Sequence, residues 1–113
     1  MHELSVVREA LRTVDAFAKE NGIDVIDTIV LQIGELSGVV PAYVEELYPA
    51  VVYETQYQNT KLKIEVEEGN AVCRKCKRVF NVIKNEGFCP HCGEKDAEVI
   101  SGREFLVKEI LIP

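Results

Sequence analysis

Cys73-Arg74-Lys75-Cys76 and Cys89-Pro90-His91-Cys92 hold every cysteine of the chain, as two C-x-x-C pairs separated by twelve residues. A C-x-x-C turn presents two thiolates from one tight knuckle, and a second knuckle facing it completes the tetrahedral, sulfur-rich shell that Zn2+ prefers. A shell closed by Cys73, Cys76, Cys89 and Cys92 leaves no position for a substrate or a water, so the expected role of the metal is structural. Two other uses of such cysteines fit less well. Disulfides belong to small secreted chains, and the start of this sequence has neither a basic segment nor an apolar signal core. A redox C-x-x-C would call for one pair beside a βαβ pattern, not two pairs facing each other.

Around this ribbon the rest of the 113 residues must fold on apolar burial, and 47% hydrophobic with 28% charged residues is enough for that. No apolar run approaches the roughly 18 residues of a membrane span, so no membrane partner and a cytoplasmic location are expected. The net charge of −6 is uneven. Residues 73–95 carry six cations (Arg74, Lys75, Lys77, Arg78, Lys84, Lys95) against Glu86 and Glu94, a local +4 that leaves −10 for the remainder. An acidic body argues against nucleic acid as the main partner, while the basic ribbon keeps open a protein- or nucleic-acid-binding module built on Arg74, Lys75, Lys77 and Arg78.

Residues 5–20 show helical periodicity, with Val7, Leu11, Val14 and Ala18 on one stripe widened by Ala10 and Phe17. Ser5 reads as the N-cap and Asn21-Gly22 as the stop. Residues 25–34 read as a strand, with Ile29, Leu31 and Ile33 on one face and Thr28, Val30 and Gln32 on the other; Gly34-Glu35-Leu36-Ser37-Gly38 then reads as a loop. Pro41 opens a second helix over about 41–56, with Val44, Leu47, Tyr48 and Val51 toward the core and Pro49 expected to kink or split it. Residues 61–68 alternate as a half-exposed strand, Leu62, Ile64 and Val66 inward. Short ribbon strands are expected at 79–83 and 97–100. The apolar strand at 103–113 needs a partner and is expected to return to the sheet of 25–34 and 61–68. The expected fold is therefore α+β: a small two-helix, three-stranded-sheet domain (1–69 plus 101–113, discontinuous) with an inserted four-cysteine zinc-ribbon domain (70–100).

The start of the chain, Met1-His2-Glu3, carries one of only two histidines. A histidine in second place is a ready chelator, because the terminal amine, its own backbone nitrogen and its Nδ1 close five- and six-membered rings on one metal. The Glu3 backbone nitrogen or carboxylate can add a fourth donor. Nitrogen donors in a plane suit Ni(II) or Cu(II). A frayed terminus with an incidental histidine stands beside that reading. His91, between two cysteines, is expected to point to solvent.

Taken together, Met1-His2-Glu3, the helix after it, Ile33-Gly34-Glu35-Leu36-Ser37 and the two C-x-x-C pairs resemble the HypA/HybF family over the full length. These are nickel metallochaperones of [NiFe]-hydrogenase maturation. The resemblance implies a non-enzymatic protein with Ni(II) as labile cargo on His2, aided by Met1 and Glu3, and structural Zn2+ on Cys73, Cys76, Cys89 and Cys92. It also implies two partners: a nickel-binding maturation GTPase (HypB-like) and the [NiFe]-hydrogenase large-subunit precursor.

Overall fold

A computed structural model describes residues 3–113. The elements run α1 (Glu3–Glu20), β1 (Thr28–Gly34), α2 (Pro41–Val52), β2 (Lys61–Glu67), β3 (Asn70–Cys73), β4 (Val79–Asn81), β5 (Ala97–Val99) and β6 (Phe105–Leu111). They make two three-stranded sheets, ordered β2-β1-β6 and β4-β3-β5, so the fold is α+β and the last strand does return to β1.

Helix α1 buries Val7, Ala10, Val14 and Ala18, the stripe that its spacing dictates. Two details differ from expectation. Ser5 is not the cap: the helix is already formed at Glu3, whose acidic side chain suits the positive end of the helix and accepts the Val40 N–H at 3.3 Å. Phe17 is half exposed, because among the described residues no strand lies beyond β6 to cover the ring. The stop is as expected. Gly22 takes φ +65, and the Ile23 N–H returns to the Ala18 carbonyl at 2.8 Å.

Strand β1 is central, parallel to β2 and antiparallel to β6. It starts at Thr28 rather than at residue 25, because its neighbours begin and end there: Thr28 pairs with Lys61 on one side and Leu111 on the other. Ile29, Leu31 and Ile33 face the helices, as the alternation requires. Val30, on the opposite face, is nevertheless only 1% exposed. Across that face Lys108 of β6 reaches Glu65 of β2 at 2.6 Å, an ion pair that spans β1 and roofs it. Val66 does not join Leu62 and Ile64 in the core but is 54% exposed, at the end of β2 that projects past the helical layer.

Helix α2 starts with Pro41 in its first turn and ends at Val52, short of residue 56. Pro49 does not split it. The proline stands one turn from the end, and both it and Glu45, whose carbonyl loses its partner, are exposed, so the carbonyl is open to solvent. Val44, Tyr48 and Val52 face inward, and the Tyr48 hydroxyl donates to the Thr60 carbonyl at 2.8 Å. Tyr57 is buried as well, its hydroxyl on Asp15 at 2.7 Å. Burial, followed by the Asp15 bond, pushes the Tyr57 phenol up to about 12. Among the described residues no helix is long and apolar enough to cross a membrane.

The two sheets meet at a crossing of backbones. The chain leaves the first sheet after β2 and re-enters it before β6, and both passages press against the turn that follows β1. The Glu35 N–H donates to the Glu67 carbonyl at 2.9 Å and the Leu36 N–H to the Gly102 carbonyl at 2.7 Å. The Glu35 carboxylate accepts the Gly69 N–H at 2.8 Å and the Asn81 side-chain amide at 3.0 Å. Those two donors, Gly69 first, hold its carboxyl below the ordinary value. The 34–38 stretch, read from sequence as a bare loop, thus straps the ribbon to the sheet. Gly102 adopts φ +88, and a Cβ there would meet the Gly69 Cα and stand 2.8 Å from the Glu68 carbonyl oxygen. Gly102→Ala should therefore destabilise the protein by about 3 kcal/mol or more, measured as a fall in the urea midpoint at unchanged slope; a loss below about 1 kcal/mol would show that the crossing yields.

Candidate metal centre

The ribbon builds its two cysteine pairs the same way twice. In the first knuckle the Cys73 N–H donates to the Arg78 carbonyl at 2.9 Å, and the Lys77 N–H to the Cys73 carbonyl at 2.9 Å. In the second, the Cys89 N–H donates to the Glu94 carbonyl and the Gly93 N–H to the Cys89 carbonyl, both at 2.8 Å. The fourth residue after each first cysteine turns left-handed: Gly93 at φ +78 and, without glycine's freedom, Lys77 at φ +66. Ala71 and Phe80 pack behind the buried Cys73 and Cys89. Arg74 ties the first knuckle to the segment leaving the second: its backbone N–H donates to the Asp96 carbonyl at 3.0 Å, with an exposed ion pair to the Asp96 carboxylate at 3.1 Å beside it.

The four sulfurs lie within 4.8 Å of one another, with Cys73–Cys92 at 3.5 Å and Cys76–Cys89 at 3.6 Å. A disulfide would need about 2.05 Å. A tetrahedral ion with bonds of about 2.3 Å to sulfur sets its ligands about 3.8 Å apart. The donor set and spacing therefore fit a divalent, thiophilic ion. The acidities agree. Cys73 is lowered to about 6, chiefly by the Cys76 N–H. At Cys89 burial pushes the thiol up, but the N–H groups of His91 and Cys92 outweigh it and the net shift is down. Cys92 rises to about 11: the Glu94 N–H works downward, but burial and the other three cysteines prevail. Protons leave such a cluster as a set, and full ionisation needs a cation at its centre.

His91 is exposed and its ring lies outside the sulfur cluster; Arg78 donates to its Nδ1 at 3.0 Å. Of the basic residues considered for a nucleic-acid contact, Arg74 and Arg78 are thus engaged within the ribbon. Met1 and His2 lie outside the described residues. Glu3 opens α1, where backbone N–H groups have no helical partner, while its carboxylate is held by Val40. The duplicated knuckle was legible only at Gly93; Lys77 carries no such mark.

Three comparisons place the chain among known proteins. A family model described as HypA, hydrogenase/urease nickel incorporation, metallochaperone, matches residues 1–112. Similar curated proteins include the hydrogenase maturation factor HypA of Geotalea uraniireducens (strain Rf4), 34% identical over 110 residues and covering 97% of each chain. That of Geobacter sulfurreducens is 36% identical over 110 residues, again 97% of each. Among solved structures, the Ni metallochaperone HypA from Helicobacter pylori superposes with a TM-score of 0.69 at 25% identity, covering 99% of this chain and 97% of that one.

Cys73→Ala should abolish metal retention in elemental analysis of the dialysed protein. It should also erase amide-exchange protection across 70–100 while that of the β2-β1-β6 sheet persists. A ribbon that stays protected without metal would contradict this account of the site.

Proposed function

The chain belongs to the HypA family of hydrogenase-maturation nickel metallochaperones, and from that premise we propose that it carries Ni(II) on its Met1-His2-Glu3 arm and delivers it to the [NiFe]-hydrogenase large-subunit precursor. In this reading residues 70–100 are a zinc-ribbon domain inserted into the body formed by 1–69 and 101–113. Cys73, Cys76, Cys89 and Cys92 hold a structural Zn2+. The observation that carries the proposal is the closure of the sulfur cluster. Four donors within 4.8 Å satisfy one tetrahedral ion and leave no open position, so the cargo needs donors elsewhere.

The arm supplies them. The His2 imidazole and the backbone nitrogens of His2 and Glu3 give Ni(II) the planar nitrogen field it favours. Glu3 acts by position: its carboxylate, bonded to Val40, pins the start of α1 and leaves its amide free of a helical partner. Binding costs protons from amide and imidazole, so nickel affinity should fall in acid, which gives a route to release. The acceptors are a nickel-binding GTPase of the HypB type and the large-subunit precursor, in the cytoplasm. We assign the chain no catalytic step.

Calorimetry on protein with its native start tests the arm. His2→Ala, or one residue added before Met1, should remove tight nickel binding while zinc content stays unchanged; undiminished affinity in either variant would take the arm out of the mechanism. Glu3→Ala keeps the backbone nitrogen but loses the Val40 anchor, and should weaken nickel binding by about tenfold or more, as loss of a supporting contact does at metal sites.

A further inference from the structure

Helix α1 carries a basic stripe along a cleft that neither metal assignment uses. Outside 73–95 the chain has seven cations in a body of net −10, and three of them, Arg8, Arg12 and Lys19, line this one cleft. At 3.6 residues per turn they fall within an arc of about 40° on the helix and spread over about 16 Å of its length. The cleft holds about 410 Å3 between the stripe and the segment that ends α2, with half-buried Leu11 and Val51 as its apolar part.

These cations are loosely held. Arg8 has no carboxylate partner among the described residues. Arg12 meets Glu9 at 2.8 Å with both side chains about 70% exposed, a pair that solvent leaves with little worth. Lys19 meets Asp15 at 2.9 Å, but that carboxylate already accepts the Tyr57 hydroxyl at 2.7 Å. Three cations therefore face one committed carboxylate, and an incoming anion has only exposed pairs to displace. The shape selects among anions. A single small anion reaches Arg8 and Arg12, one turn apart, but leaves Lys19 two turns away. An extended peptide spans the stripe, yet its backbone would lie against a helix whose own N–H and C=O groups are already used. A helix spans it with its backbone satisfied internally.

From this placement we infer that the cleft beside α1 docks an acidic amphipathic helix of a partner protein, its carboxylates on Arg8, Arg12 and Lys19 and its apolar residues on Leu11 and Val51. The partner helix runs antiparallel to α1, which sets the two helix dipoles in opposition. Carboxylates at its positions i, i+7 and i+11 then meet Lys19, Arg12 and Arg8 in turn. Its position i+4 falls opposite Asp15 and is uncharged, so the satisfied carboxylate acts as a selectivity element against uniformly acidic chains. The docking is independent of how nickel is held.

Calorimetric titration of the full zinc-loaded chain at low salt tests it. The probe is a capped, alanine-based helical peptide with Glu at i, i+7 and i+11, Leu at i+1 and i+8, and no other charge. It should bind the native protein, and the Arg8→Glu, Arg12→Glu double variant should bind it at least about tenfold more weakly. A peptide with Lys in place of each Glu should show the reverse preference, binding the double variant better than the native chain, a recovery that a misfolded variant would not give. Lys75→Glu with Lys77→Glu, on the ribbon, should leave binding of the Glu peptide unchanged. No heat at about 1 mM Glu peptide would overturn the inference. So would undiminished binding by the double variant, failure of the Lys peptide to prefer it, loss of binding in the ribbon variant, or equal binding of a scrambled peptide of the same composition.

Discussion

The crossing of backbones at Gly34, Gly69 and Gly102 is the constraint on which the rest depends. Two passages of chain connect the sheet to the ribbon, and a ribbon held by two flexible strings would swing freely. Here the strings touch each other backbone to backbone at Gly69 and Gly102, Gly102 lies on Gly34, the Leu36 side chain packs on Gly69, and the Glu35 carboxylate grips one passage through Gly69 and the ribbon through Asn81. Glycine is required there for space, and at Gly102 for backbone angle too. Two residues past the strap, Val40 donates to Glu3, so the start of α1 and the ribbon are both tied to the connection between β1 and α2.

The two bodies joined at this point are held by different physics. The helices and the β2-β1-β6 sheet enclose a contiguous apolar core from Val7 to Tyr57. The ribbon's buried set is Ala71, Cys73, Phe80 and Cys89, two of them cysteines. That is too little apolar surface to offset the ordering of some thirty residues. In the proposed reading metal coordination supplies the difference, and the left-handed turn at Lys77 keeps the sulfurs in place for it. The surplus of cations on 73–95 works the same way, countering the charge that four thiolates bring to one ion.

What could be read from the chain followed where a residue type admits one use. Paired cysteines at fixed spacing, the 3.6-residue stripe of α1 and the alternation of β1 and β2 each have one economical outcome, and those elements stand where the pattern puts them. The misreadings share a cause: a local signal lost to a tertiary one. Ser5 is a good cap, yet Glu3 finds Val40 and the helix starts earlier. Pro49 is a helix breaker, yet it falls where the carbonyl that loses its bond is open to solvent. Phe17 and Val66 are apolar and in phase, but the layer that would cover them ends first. Tyr57 and the strap at Glu35 left no local trace, because each is defined by a partner far along the chain, and Lys77 lacks the glycine that marks its counterpart at Gly93.

A chaperone for nickel must keep one metal and give up another, and no single coordination shell does both. Four thiolates on two knuckles, Cys73 and Cys89 buried and Cys92 exposed, would exchange their ion slowly, since releasing it would cost the fold that surrounds it. Such a centre is a poor carrier and a good scaffold. A carrier site needs donors that can protonate or move aside without disturbing a core, and the start of a helix has them, as its first amides owe nothing to the helix behind. Placing the proposed nickel arm there, at the end that Glu3 ties to Val40, separates the energy of holding nickel from the energy of folding. Loss of the cargo then leaves both bodies intact and the arm ready to be loaded again.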